Sequence, residues 1–60
     1  RTLRYGMRGD DVKVLQKALG IKSDGIFGIG TEKAVKDFQK KNKLVVDGIC
    51  GKITKAKLNI

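Results

Sequence analysis

Sixty residues, 40 % of them hydrophobic, allow one small domain close to the lower limit at which a core holds without staples. Lys and Arg outnumber Asp and Glu by 14 to 6, and the formal charge of +8 suits polyanionic partners such as nucleic acid, anionic lipid or anionic cell-wall polymers. One cysteine and no histidine exclude an intrachain disulfide, a four-ligand zinc site and Ser-His-Asp chemistry, so neither a metal nor a cofactor is expected.

Leu3 and Tyr5 belong to a strand-like N-terminal arm that is expected to pack on the body of the domain. From Asp10 to Leu19 the residues Val12, Leu15, Gln16 and Leu19 recur at the spacing of one helical face, with Lys13 and Lys17 opposite. Asp10 is the expected N-cap and Gly20 the expected left-handed terminator. A second helix is expected over 31–42, capped by Thr31, with Glu32 in its first turn where the helix dipole favours an acid. Ala34, Val35 and Phe38 form its apolar stripe. A third, short helix is expected over 54–59, capped by Thr54 and buried through Leu58. No apolar run reaches membrane-spanning length.

The two halves of the chain superpose at a shift of 23 residues. Val12, Leu15, Gln16, Ile21, Asp24, Gly25, Ile26, Gly28 and Thr31 fall on Val35, Phe38, Gln39, Leu44, Asp47, Gly48, Ile49, Gly51 and Thr54, and Val35 in turn falls on Leu58. The fold expected from this repeat is an all-α bundle of three helices occupying residues 1–60, each unit a helix followed by a tight turn. In Asp24-Gly25 and Asp47-Gly48 the Asp carboxylate folds back onto backbone amides while Gly takes a positive φ. Ile26 and Ile49 are then the expected core plugs, and Gly28 and Gly51 the site of a second bend. Gln16 and Gln39, each at the same distance from its turn, are expected to satisfy turn backbone groups.

Those residues, from Leu15-Gln16 through Asp24-Gly25-Ile26-Phe27-Gly28 to Asp47-Gly48-Ile49-Cys50-Gly51 and Leu58, resemble the type 1 peptidoglycan-binding domain over nearly the whole chain. The resemblance implies a non-catalytic module, extracellular or at the cell wall, that holds a covalently attached murein hydrolase on its substrate. An amidase, a peptidase and a muramidase are all implied companions. It also implies a raised effective concentration in place of chemistry. The family pattern carries Gly where Lys43 stands, so Asn42 is expected to supply the left-handed residue. Cys50 stands where an aromatic or aliphatic residue is usual and is read as a buried, unreactive thiol.

Peptidoglycan offers apolar methyls, amides and peptide carboxylates, so its recognition calls for a modest apolar platform, hydrogen-bond donors and a few cations. Arg4, Tyr5, Arg8 and Phe27 are the candidate ligand contacts, with Arg4 and Arg8 suited to a stem-peptide carboxylate. Gln16, Asp24, Gly25, Gly28, Thr31, Gln39, Asp47, Gly48, Gly51 and Thr54 are read as structural. Peptidoglycan and anionic wall polymers are thus the expected partners of a monomer that does not insert into membranes. Two other classes compete. A basic three-helix nucleic-acid module is disfavoured because its cations are spread along the chain rather than gathered on one recognition helix. An inhibitory metalloprotease prodomain would need an exposed thiol in a Pro-containing motif, and the chain has no Pro.

Overall fold

The computed structural model describes residues 1–60. Three helices follow in order: α1 (Asp10–Leu19), α2 (Ile29–Lys41) and α3 (Lys52–Leu58). Helix α1 is central and packs against both others. Leu3, Val12, Leu15, Phe27, Val35 and Cys50 form the core, with Met7, Leu19 and Leu58 partly buried against it. No helix is long and apolar enough to cross a membrane.

The arm is sewn to both turns by backbone hydrogen bonds. Leu3 and Cys50 exchange a pair, and the Gly6 N–H donates to the Phe27 carbonyl while the Phe27 N–H donates to Met7. The Gly9 N–H reaches Gly25. Leu3 is therefore buried as expected, whereas Tyr5, on the outer side of the arm, stays 56 % exposed.

Helix entry corrects the expected caps. Gly9, Gly28 and Gly51 are the N-cap residues, and none of the three helices has a side-chain cap. Gly9 is pinned to the first turn and takes the cap position, which leaves Asp10 as the first residue of α1. Helices α2 and α3 start two residues early, so Thr31 and Thr54 lie within the first helical turn and are buried. Gly28 and Gly51 have extended backbones open to any residue, so the second bend expected there does not depend on glycine.

Helix exit follows one pattern twice. The Gly20 N–H donates to Lys17 and the Ile21 N–H to Gln16. Twenty-three residues later the Lys43 N–H donates to Lys40 and the Leu44 N–H to Gln39. This closure needs a left-handed residue at its penultimate position. Gly20 supplies it with φ 75°, and in the second repeat Lys43 does so with φ 58°, while Asn42 stays at φ −98°. The expectation for Asn42 fails because the hydrogen-bond pattern, rather than residue preference, selects the position. A side chain in this conformation costs roughly 1–2 kcal/mol, partly offset by the entropy that glycine restores to the unfolded chain. Lys43→Gly is accordingly expected to raise stability by about 0.5–1 kcal/mol in urea titration.

The core is filled by different residues from those expected. Ile26 is 52 % exposed and Ile49 half-buried, while their successors Phe27 and Cys50 are buried at 1 % and 0 %. Both turns run into short extended pairings with the arm, where successive side chains face opposite ways. Phe38 is also corrected: it is half-buried beside Ala18, Leu19 and Ala34 rather than in the core. Its equivalent, Leu15, lies on the central helix and is covered from both sides, whereas α2 is an outer helix.

Burial raises the pKa of the Cys50 thiol, and its sulfur is sealed in the core. A thiol that cannot reach the thiolate or the solvent is a poor nucleophile. Iodoacetamide is expected to leave the folded protein unlabelled and to modify it readily in denaturant; mass spectrometry distinguishes the two.

Candidate functional site

Each repeat builds the same polar hub. In the first, the Gln16 Nε2 amide donates to Asp24 Oδ1 (2.9 Å), the Ile26 carbonyl (2.9 Å) and Thr31 Oγ1 (3.0 Å), while Gln16 Oε1 accepts from the Gly25 N–H (2.8 Å). In the second, Gln39 Nε2 donates to Asp47 Oδ1 (2.9 Å), the Ile49 carbonyl (3.0 Å) and Thr54 Oγ1 (3.2 Å), and its Oε1 accepts from the Gly48 N–H (3.0 Å). Both amides are 1 % exposed. The expected role of Gln at the turn is thus observed, and it extends further. The Asp carboxylate and the Thr hydroxyl also join the hub, which is why each Thr points inward rather than capping its helix. The recurrence of Gln, Asp and Thr at one spacing was the sequence signal for this three-way contact.

The hub favours glycine at two positions. Gly25 and Gly48 adopt φ 78° and 73°. A Cβ on Gly25 would meet the Lys13 stem at 3.1 Å, and one on Gly48 would meet Glu32 Cγ and Lys36 Cε at 3.0 Å.

Hydrogen bonding sets the charge state of the hub. The carboxyls of Asp24 and Asp47 are held below the usual carboxylate range, first by the N–H of the residue two positions on and then by the Gln amide. Asp11 is lowered to about 2 by its hydrogen-bonded contact with the Arg1 guanidinium. In an unfolded chain these groups titrate near about 3.9, so between that value and their folded values the unfolded state binds more protons. Their stabilisation is complete above about pH 5 and is lost as pH falls through the unfolded value towards the folded ones. The urea midpoint is expected to be level from pH 7 to 5 and to fall below about pH 4, modestly because all three carboxyls are exposed; a level midpoint down to pH 2.5 contradicts this.

Above each hub lies a groove. The first, of about 330 Å³, is lined by Gln16, Ile21, Lys22, Asp24, Ile26, Gly28, Gly30 and Thr31. The second, of about 350 Å³, is lined by Gln39, Leu44, Val45, Asp47, Ile49, Gly51, Ile53 and Thr54, with Lys52 beside them. These are the same eight positions displaced by one repeat. Only two change character, Lys22 to Val45 and Gly30 to Ile53. No group of His, Cys, Asp and Glu is arranged to hold a metal ion.

Of the candidate contacts, Arg4, Tyr5 and Arg8 lie along the exposed side of the arm, and their side chains make no hydrogen bond within the chain. Phe27 is removed from the set: as a core residue bonded through its backbone to the arm, it presents no surface to a ligand. Sequence reasoning missed the apolar rim of the second groove, because at Val45 and Ile53 the two repeats carry residues of different character.

The site is thus a repeat-built helical bundle with two matching grooves and a hydrogen-bonded carboxylate in each. Residues 8–58 match the family described as "Putative peptidoglycan binding domain", and the chain belongs to that family. It is 41 % identical to a spore cortex-lytic enzyme of Bacillus cereus; the match covers 97 % of this chain and spans about a quarter of that enzyme's length. The crystal structure of the SleB N-terminal domain matches with a TM-score of 0.94 at 40 % identity, over 98 % of this chain and 89 % of that one. A fused Zn-dependent amidase/peptidase/peptidoglycan-binding-domain protein from Clostridium acetobutylicum matches with a TM-score of 0.96 at 37 % identity, over all of this chain and 29 % of that one.

Proposed function

We propose that the chain binds peptidoglycan, does no chemistry itself, and keeps a covalently attached murein hydrolase at the cell wall. The family match across residues 8–58, with both Gln-Asp-Thr hubs intact, carries this reading. The amidase, peptidase and cortex-lytic character of the relatives supports a hydrolase as companion. Tethering of this kind raises local enzyme concentration without any new catalytic contact.

The module works as a monomer outside the cytoplasmic membrane. Arg4, Tyr5 and Arg8 form its peptide-facing strip: two guanidiniums suited to a stem-peptide carboxylate flank a ring that is half apolar and half polar. The surplus of cations adds attraction to anionic wall polymers that weakens with salt.

The test is retention on purified sacculi, before and after removal of anionic polymers, across a salt series. Retention on stripped sacculi at physiological salt is expected. A variant with Arg4, Tyr5 and Arg8 all replaced by Ala is expected to bind about tenfold more weakly. Loss of all retention once anionic polymers are removed would mean that charge alone recruits the protein.

A further inference from the structure

Duplication of the groove separates what the fold needs from what it does not. The hubs share four hydrogen bonds because each closes a turn, and the Gln amide in each is fully engaged. The rims are free to differ. In the first groove they carry Lys22 and Gly30, and in the second Val45 and Ile53, which are 79 % and 69 % exposed. No packing contact of the core requires these two methyl-bearing side chains, which stand in water. The floor also offers one unused acceptor. Asp47 Oδ1 receives both the Gln39 amide and the Ile49 N–H, and Oδ2 has no partner in the chain. With Asp47 and Lys52 in its lining this groove has a formal charge of zero, as the first does with Asp24 and Lys22, so the rims and not the charge set the two apart.

From this arrangement we infer that the second groove takes the acetamido group of an N-acetylated amino sugar, with the amide N–H donating to Asp47 Oδ2 and the methyl resting on Val45 and Ile53. The inference rests on the wall-binding reading and names the moiety and the place. An uncharged group carrying one N–H donor and one methyl complements a neutral groove holding one acceptor and an apolar rim. A stem-peptide carboxylate does not, because Asp47 is ionised there. The first groove keeps the acceptor at Asp24 and lacks the methyl platform, so it does not compete.

The experiment is a chemical-shift titration of the 15N-labelled protein with N-acetylglucosamine tetramer, with the glucose tetramer, in which hydroxyls replace the acetamido groups, and with a soluble stem peptide. Shifts centred on Val45, Asp47 and Ile53 are expected with the first ligand only. Val45→Lys with Ile53→Ala is expected to weaken binding by about fivefold or more. Both positions are solvent-facing, so the rest of the spectrum reports an intact fold, and Val45→Lys alone serves if the pair disturbs it. Lys22→Val with Gly30→Ile is expected to create a second set of shifts at Asp24. Equal response to the glucose tetramer, shifts confined to the arm or the first groove, response to the stem peptide alone, or unchanged affinity in the Val45 variants each overturns the inference. Retention on stripped sacculi without any response to the acetylated tetramer sinks this assignment and leaves wall binding standing; loss of both sinks the wall reading itself.

Discussion

Phe27→Ala is expected to leave the protein largely unfolded at 37 °C, and Phe27→Leu to leave it folded and wall-binding. The side chain is among the largest wholly buried ones in the chain. Truncating a core phenylalanine costs about 3–5 kcal/mol through lost burial and the cavity left behind. A domain of sixty residues has a total stability of roughly 3–9 kcal/mol, so the loss consumes most of it. Leucine keeps most of the volume and costs far less. Circular dichroism melting with sacculus retention on the same samples separates the two roles proposed for this ring. A folded Ala variant with weakened wall binding would return Phe27 to the ligand surface; an unfolded one confirms it as core.

The second large effect is expected at the Gln39 hub. Gln39→Glu replaces a donor amide by a carboxylate facing Asp47 Oδ1 and the Ile49 carbonyl, while the Gly48 N–H keeps an acceptor. Two acceptors then confront a buried negative charge, at a cost of about 3 kcal/mol or more at pH 7. The new carboxyl is forced to hold its proton, so its folded pKa lies above its unfolded one. The stability it removes therefore returns as pH falls from 7 towards 5, opposite in sign to the loss carried by Asp11, Asp24 and Asp47 at lower pH. Urea midpoints for the variant are expected to rise between pH 7 and 5 while those of the parent stay level. A variant whose midpoint ignores pH would show that the Gln39 site admits water.

The three helices and the motif that places the chain in its family were legible because apolar periodicity and the 23-residue repeat are local properties. What escaped depends on contacts distant in the chain. Whether Ile26 or Phe27 faces inward is decided by pairing of the turn with Met7, and whether Cys50 is buried is decided by Leu3, forty-seven residues away. Thr31 and Thr54 have the composition of caps, and only the buried Gln amides fifteen residues earlier turn them inward. Lys43 shows the converse: its left-handed backbone is inherited from the closure that Gly20 makes in the first repeat, against its own preference. In the grooves, the shared floor was visible in the repeat, and the rim was not, since exposure of Val45 and Ile53 is evident only once the core has been filled by others.

The arm from Leu3 to Gly9 has a consequence for how such a module can evolve. Repeat architectures that stack through identical neighbour contacts grow by adding units, and their copy number drifts. Here the closing element is a single strand of backbone, its inner edge consumed by Gly25 and Phe27 of one turn and Cys50 of the other. A third unit inserted after the second would present a turn with no arm left to seal it, exposing the residue that corresponds to Phe27 and Cys50. The module is thus closed at two copies, and greater avidity for a polymeric wall must come from tandem whole modules, each with its own arm.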